Sequence, residues 1–409
     1  MTLGVYWDKV RVGELELAGE RTREYSFRYL ETQRPISLSL STTTEAFTPA
    51  ETRPFFEALL PEGGVREQIA TTLKLAASDS YGLLAELGRD CAGALQIIEH
   101  RHLSDDPTVR WLEPEALDEL IHELPRRPLG IAPGDQRARL SLAGAQRKAV
   151  LVRDQDGRFG MPLDGMPSTH ILKPQPADQE YPDIAYNEFF CMRLAERCRL
   201  SAAKVEMISA DGRACLVVER FDRTTTSSPV RRLHQEDLCQ ALGITPDFKY
   251  QRPDWAVPSY SALAGLLDEH SLRPGADRLA AAEAALFNFM VANADAHAKN
   301  ISLLHEPGGV RIAPLYDVVC TGAYPDLSTE LALSIGDEFD PRRLGAAQWS
   351  DLAVEFRLNP RAFERQRARL ASRVPSEAVK LAEQARAEGW HQPIIETIVE
   401  LIAKRAKQL

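Results

Sequence analysis

Over the first thirty residues hydrophobic and polar positions alternate, in GVYWDKV, in VGELELA and, after a turn at Gly19-Glu20, in YSFRYL. A period of two puts every second side chain on one face, so this stretch predicts a small antiparallel sheet, with ISLSLS as a possible further edge. The period then lengthens. Pro49-Ala50-Glu51 opens a helix that carries Phe55, Phe56, Leu59 and Leu60 and is stopped by Pro61 and Gly63-Gly64. REQIATTLKLAA and SYGLLAELG read as two more helices and ALQIIEH as a returning strand. A charged, Pro-containing joint at 103–120 leads to the helix EPEALDELIHEL, and residues 125–139 form a polar connector.

Beyond the connector the pattern gives strands at 149–152 and 168–174, a turn at 154–157, the helix YNEFFCMRLAERCRL, and a hairpin of VEMIS and ACLVVERF around Gly212. From RLHQEDLCQALGI onward helices dominate: SYSALAGLLDEH, then the long LAAAEAALFNFMVANA. One hairpin interrupts them, with strands at 301–304 and 310–313 around Glu306-Pro307-Gly308-Gly309. DLAVEFRL, PRAFERQRARLASRV, SEAVKLAEQARAE and PIIETIVELIAKRAKQL then read as four helices. The expectation is an α+β chain with a β-rich N-terminal part and a mostly helical C-terminal lobe, divided at 1–105, 106–225 and 226–409. The first part carries no recognisable chemistry and reads as a lid, brace or docking domain.

Composition narrows the class. The chain has 409 residues and a net charge of −10, which argues against indiscriminate nucleic-acid binding through overall charge but leaves a local basic patch open. Its six cysteines form no C-x-x-C pair and lie mostly in apolar contexts, as reduced core thiols do, and the nine histidines form no ligand cluster. The start lacks the apolar core of a signal peptide, and no apolar run is long enough to span a bilayer. These features lead to the expectation of a soluble, cytoplasmic protein with no membrane partner.

Candidate chemistry centres on ANADAHAKNISLLHEPGGVRIAPLYD, residues 292–317, where an apolar helix abruptly turns polar. Asp295 and Asn300 lie five apart. The hairpin that follows should return the chain so that Asn300, at its entrance, sits near Asp317, past its exit. In protein kinases a base Asp and a metal-binding Asn have this spacing, and a hairpin leads on to the second metal-binding Asp. Here no H-R precedes the Asp, and Tyr316-Asp317-Val318 stands where D-F-G would. Taken alone, D-x-x-x-x-N is also what a capped helix start or a turn uses.

Three other stretches fit a nucleotide site, each with a plainer reading beside it. Small residues at Ala143, Gly144 and Ala145, followed by Gln146, Arg147 and Lys148 ahead of a strand, suit a loop whose N–H groups cradle phosphate; a hairpin turn uses the same residues. Lys173 ends a strand where a kinase holds its phosphate-neutralising lysine, although most lysines simply face solvent. Asn187 or Glu188 could support it, or cap the helix they begin. Glu219, Arg220 and Phe221 end a strand that could continue into an adenine-binding hinge. The arginines at 361, 365, 367, 369 and 373 could touch DNA or form a solvated helix face.

Taken together, SLAGAQRK, STHILK, LVVERFDR, RLHQEDLCQALG, FNFMVANADAHAKN and PLYDV resemble, in order, the HipA family of serine/threonine kinase toxins from bacterial type II toxin–antitoxin systems. Weaker similarity in WDKVRVGEL, RPISLSLS and LLAELGRDCAGAL extends the resemblance over nearly the whole chain. It implies a bilobal kinase-like fold, use of ATP and magnesium (Mg2+), and specific roles. Asp295 would be the catalytic base, Asn300 and Asp317 the metal ligands, and Lys173 the ATP-phosphate lysine. Residues 143–148 would be the phosphate loop and Glu219 to Phe221 the hinge. His297, Ala298, Lys299, Asn300, Tyr316 and Asp317 would complete the nucleotide pocket, with His297 read as a nucleotide contact or a scaffold residue. Ser141 matches the serine that such kinases autophosphorylate, which disables them. The implied partners are a HipB-like helix-turn-helix antitoxin, operator DNA mainly through it, and a translation component such as an aminoacyl-tRNA synthetase as substrate. Arg147 stands where an acidic residue is common and Ala296 where glycine is. A silent corepressor acting through its antitoxin, and a small-molecule kinase, remain as alternatives.

Overall fold

The computed structural model describes residues 2–19, 22–30, 34–99, 107–130, 146–177, 181–224, 229–255 and 257–409. Ser141 and residues Ala143, Gly144 and Ala145 of the expected phosphate loop lie outside the described residues. The chain forms two compact units, each discontinuous in sequence: Met1–Pro174 with Ile208–Pro246, and Gln175–Met207 with Asp247–Leu409.

The first unit is built on two sheets. The alternating N-terminal stretch forms β1 (Thr2–Trp7), β2 (Val10–Leu17) and β3 (Tyr25–Tyr29), flanked by β4 (Ala46–Phe47) and β5 (Leu95–Ile98) in the order β4-β3-β2-β1-β5. Helices α1 (Pro49–Glu57), α2 (Gly63–Leu73) and α3 (Ser80–Leu87) supply Phe55, Phe56, Ile69, Leu83 and Leu84 to a core shared with Leu3, Val5, Leu15 and Phe27. Thr48 starts α1 with a capping box, exchanging hydrogen bonds with Glu51. ISLSLS does not extend this sheet, contrary to expectation. Its serines are committed elsewhere: the Ser37 hydroxyl donates to buried Glu236 at 2.5 Å and that of Ser39 to the Gln240 carbonyl at 2.7 Å.

The second sheet runs β10-β11-β9-β7-β8-β6, with β6 at Thr108–Trp111, β7 at Ala149–Arg153, β8 at Phe159–Leu163, β9 at His170–Pro174, β10 at Val205–Ala210 and β11 at Arg213–Glu219. Helix α4 (Pro114–Glu123) packs Ile121 beneath it. Strands β6 and β8 are absent from the sequence-based expectation. Gly160 and Pro162 disguise β8, and β6 falls in the stretch read as a joint. Past β11 a two-stranded ribbon, β12 (Arg223–Thr224) and β13 (Arg231–Arg232), leads to β14 (Gln235–Asp237) and α6 (Leu238–Leu242).

A buried charge cluster ties the two sheets of this unit together. The Asp90 carboxylate, after α3, meets Arg223 at 2.9 Å, Arg232 at 3.0 Å and Arg220 at 3.6 Å, and accepts from the Ser168 hydroxyl at 2.5 Å. Asp222 meets Arg220 at 2.8 Å and accepts from the Gly93 N–H at 2.7 Å. The guanidiniums also donate to the carbonyls of Cys91, Gly93 and Ser168, so each charge is both paired and hydrogen-bonded.

The second unit is helical around one hairpin. Helix α5 (Ile184–Arg197) belongs here although it precedes β10 in sequence. The unit also holds α7 (Tyr260–His270), α8 (Pro274–Met290), α9 (Ala346–Glu355), α10 (Pro360–Glu388), α11 (Pro393–Ala406) and the strands β15 (Ser302–Glu306) and β16 (Gly309–Ile312), with α7 and α8 packed against β16. Two expected helices, PRAFERQRARLASRV and SEAVKLAEQARAE, are one 29-residue helix that runs through Pro375. Packing wins over the missing N–H: Leu370, Val374, Ala378, Leu381 and Ala385 form one buried stripe, and α10 lies against α5, α8, α9 and α11. All six cysteines are free and buried, and no helix among the described residues is long and apolar enough to cross a membrane.

Burial alone would raise the Asp90 carboxyl, but Arg223, Arg232 and Arg220 outweigh it and hold the group below its ordinary value; Asp222 is held low in the same way. A lowered folded-state value means that stability from these carboxylates is present above about pH 4 and lost as the pH falls through the folded values. Asp90→Asn should therefore cost about 3–5 kcal/mol at neutral pH in urea melts. Its deficit relative to wild type should shrink in acid, and a deficit that stays constant would contradict this role for Asp90.

Candidate active site

Helix α8 ends at Met290 because the chain turns left-handed at Ala292, with φ 53°. That turn is held from one side. The Ala292 carbonyl accepts from the Gly322 N–H at 3.0 Å and from the Thr321 hydroxyl at 3.1 Å, while the same hydroxyl accepts from the Ala294 N–H at 2.7 Å. A Cβ at Gly322 would lie 2.9 Å from that of Ala292, so the approach needs glycine. The Asn293 amide then spans the bend, donating to the Asn288 side chain at 2.9 Å and accepting from the Asp295 N–H at 3.1 Å.

The Asp295 carboxylate stands exposed at the tip of this turn and accepts from the Tyr250 phenol at 2.7 Å. Its carbonyl is the hub of the loop. It accepts from the His297 N–H at 2.8 Å and from the Asn300 side-chain amide at 3.1 Å, while the His297 carbonyl accepts from the Asn300 N–H at 2.9 Å. With its nitrogen so engaged, the Asn300 side chain turns its oxygen to the other side.

The hairpin closes as its alternation requires. Leu303 pairs with Ile312 and Glu306 with Gly309, Pro307 and Gly308 (φ 92°) make the turn, and the Ala313 N–H donates to the Ser302 carbonyl at 2.9 Å. Past it, the Tyr316 phenol donates to the Lys299 carbonyl at 2.6 Å and accepts from the Ser302 hydroxyl at 2.7 Å. One tyrosine side chain thus spans the gap between the backbone of 299–300 and that of 316–317. Asp317 takes a left-handed φ of 56°, a conformation aspartate tolerates better than most residues. The chain beyond it is fixed by Asn187, whose fully buried side chain accepts from the Cys320 N–H at 2.8 Å and donates to its carbonyl at 3.0 Å. The Tyr316 contacts bring the chain at 299–302 against Tyr316, and Asn300 and Asp317 adjoin these contacts in sequence. An amide oxygen and a carboxylate are hard donors that fit a magnesium ion completing its shell with water and phosphate oxygens.

In the first unit, Ala149 of β7 pairs with Leu172 of β9. Lys148 immediately precedes the first of these paired residues and Lys173 follows the second. Only 7% of Lys148 and 6% of Lys173 is exposed, so neither is the solvent-facing lysine that is the common fate of the residue. Gln146 is half-buried and Arg147 exposed. Arg220 donates its N–H to the Thr169 carbonyl at 2.9 Å and buries its guanidinium in the charge cluster. This removes both groups from the adenine contact read for the hinge; Glu219 and Phe221, half-buried, flank it.

The HipA-like C-terminal domain model matches residues 140–378 and the HipA N-terminal domain model residues 3–98. This chain belongs to the HipA family. A putative kinase of Sinorhizobium fredii, Y4mE, is 41% identical over 86% of this chain and 85% of its own length. The serine/threonine-protein kinase toxin HipA of Shewanella oneidensis is 29% identical over 92% of this chain and 88% of its own. A solved complex of Shewanella oneidensis HipA with HipB and operator DNA contains a chain that superposes with a TM-score of 0.82, at 27% identity, over 99% of this chain and 96% of that one.

With the HipA-family fold in place, some sequence-based roles change. His297 is buried, with its ring edge-on to Tyr250 at 5.2 Å, which suits the scaffold reading. Asn187 orders the segment after Asp317. Arg369 meets Glu283 at 2.7 Å, Arg373 donates to the Arg197 carbonyl at 2.8 Å, and Arg367 pairs with Glu364 at 2.6 Å, so these three are committed within the unit. Tyr250 escaped the sequence reading altogether. It sits in a Pro-rich stretch without periodicity, and its partner is distant in sequence.

Because Tyr316 satisfies two polar groups at once, Tyr316→Phe should lower stability by about 1–3 kcal/mol in denaturant melts while leaving the fold intact. A melt indistinguishable from wild type would show that this tie carries no energy.

Proposed function

We propose that this HipA-family kinase transfers the γ-phosphoryl group of ATP to a serine or threonine hydroxyl of a protein, with Asp295, Asn300, Asp317 and Lys173 carrying the chemistry. The observation that supports it most is the Tyr316 tie, which joins the stretch of chain that carries Asn300 to the stretch that carries Asp317, next to a loop whose tip presents the Asp295 carboxylate. Asp295 takes the proton of the attacking hydroxyl as the new oxygen–phosphorus bond forms and the bond to ADP breaks. Asn300 and Asp317 hold magnesium, which when bound neutralises charge on the phosphates. Lys173 and Lys148, with the other residues of 143–148, meet phosphate oxygens; Glu219 and Phe221 flank the base. Positioning and charge neutralisation, rather than a covalent intermediate, supply the rate.

In its cell the kinase is read as the toxin of a HipBA-like type II pair, cytoplasmic, held by a HipB-like helix-turn-helix antitoxin and reaching operator DNA mainly through it. The likeness to the Shewanella HipA chain, solved with HipB and operator DNA, supports that reading. A translation component such as an aminoacyl-tRNA synthetase is the substrate class, and autophosphorylation of Ser141 is the self-inactivating step.

The test is intact mass and phosphosite mapping of the purified chain after incubation with Mg-ATP, alone and with a cell lysate. Asp295→Asn should slow phosphoryl transfer by about 10²–10⁴-fold, and an undiminished rate removes the base assignment. Ser141→Ala should keep full activity and no longer shut itself off. Phosphate still accumulating within residues 140–148 of that variant would contradict the assignment of Ser141.

A further inference from the structure

The Tyr250–Asp295 hydrogen bond lies outside every role assigned so far. Tyr250 is 42% exposed, a setting in which a tyrosine side chain is ordinarily mobile, yet its position is fixed by its surroundings. The residue before it accepts at its carbonyl from the Ala298 N–H at 3.1 Å, and the residue after it donates its N–H to the Ala332 carbonyl at 2.9 Å. Ala332 in turn donates to the Ala294 carbonyl at 3.0 Å, and the Gln251 side chain accepts from the Ser334 N–H at 2.8 Å. Segments 249–251, 294–298 and 332–334 are therefore one backbone-bonded assembly with Asp295 within it. The Tyr250 ring stands edge-on to His297, and the Lys249 ammonium lies 5.5 Å from its centre.

We propose that Tyr250 is a positioning residue for phosphoryl transfer: its phenol holds Oδ1 of Asp295, so that Oδ2 is the oxygen presented to the incoming hydroxyl. An ionised carboxylate only accepts, so the phenol is the donor, and a charge-assisted bond of this kind fixes a rotamer that an exposed aspartate would otherwise sample freely. The proton leaving the serine or threonine hydroxyl goes to Oδ2 while the hydroxyl oxygen bonds to phosphorus and the phosphorus–oxygen bond to ADP breaks. The phenol keeps its own proton throughout. Fixing one carboxylate oxygen raises the fraction of encounters in which the other is aligned, which acts on the rate of the chemical step and not on nucleotide binding. This inference rests on Asp295 being the base.

The test compares wild type, Tyr250→Phe, Tyr250→Leu, Asp295→Ala and the Asp295→Ala/Tyr250→Phe double variant as full chains. Each is assayed for transfer from radiolabelled ATP to proteins of a bacterial lysate, for affinity toward a non-hydrolysable ATP analogue, and for melting temperature. The Phe variant should lose about tenfold to a hundredfold in rate at saturating ATP, with analogue affinity and melting temperature unchanged. The Leu variant should lose as much, because the hydroxyl and not the ring carries the effect, and Tyr250→Phe should cost nothing further once Asp295 is alanine. A wild-type rate in the Phe variant beside a slow Asp295→Ala overturns the inference and leaves the kinase reading standing. A loss confined to the Leu variant, to analogue affinity, or repeated in the Asp295→Ala background makes Tyr250 a structural or binding residue and overturns it as well. No transfer by wild type overturns both readings.

Discussion

A single phenol ties together the two ends of the hairpin in the second unit. Asn300 and Asp317 belong to separate stretches of chain, on either side of a hairpin whose strands could twist their ends apart. The Tyr316 hydroxyl engages the Lys299 carbonyl and the Ser302 hydroxyl together, linking the two loop ends. Around it the backbone holds costly conformations, left-handed at Ala292 and at Asp317. Each is over-determined by neighbours: Thr321 and Gly322 grip the first turn, and Asn187 orders the chain after the second. Strain that persists under such restraint is what a preorganised site looks like, with its ordering cost met during folding and not at the moment of binding.

The first unit relies on a different force. Its two sheets are joined by Asp90 and Asp222 against Arg220, Arg223 and Arg232, with backbone carbonyls of 91, 93 and 168 taking up the remaining guanidinium protons. Well-packed apolar side chains could hold such a junction with less desolvation, but apolar contacts tolerate sliding and this cluster does not. Asp90 lies in the segment matched by the N-terminal family model and the arginines in that matched by the C-terminal one. Within this unit the two matched regions therefore share an interior, as the common core of Leu3, Phe27, Leu95 and Val150 also shows.

Where periodicity was local, the sequence disclosed the architecture. Strands β1 to β3, the hairpin β15–β16 and most helices follow from spacing. Long-range demands erased the rest. The serines of ISLSLS look like a strand face but bond to Glu236 and Gln240, far along the chain. Strand β8 hides behind Gly160 and Pro162 because it is buried throughout and needs no alternation. Pro375 marks a helix end in most sequences, and here a continuous buried stripe overrides it. Arg220 could be placed at a strand end but not on the inside, and Tyr250 offered no pattern at all. Both are defined by partners that spacing cannot reveal.

The central claim is that Asn300 and Asp317 hold the cation that accompanies the nucleotide. Crystals grown with Mn2+ and a non-hydrolysable ATP analogue test it most directly through the manganese anomalous signal. The account predicts one strong peak bonded to the Asn300 side-chain oxygen and the Asp317 carboxylate, with analogue phosphate oxygens completing its shell. A peak at other side chains, with nucleotide bound and these two residues uninvolved, would contradict it.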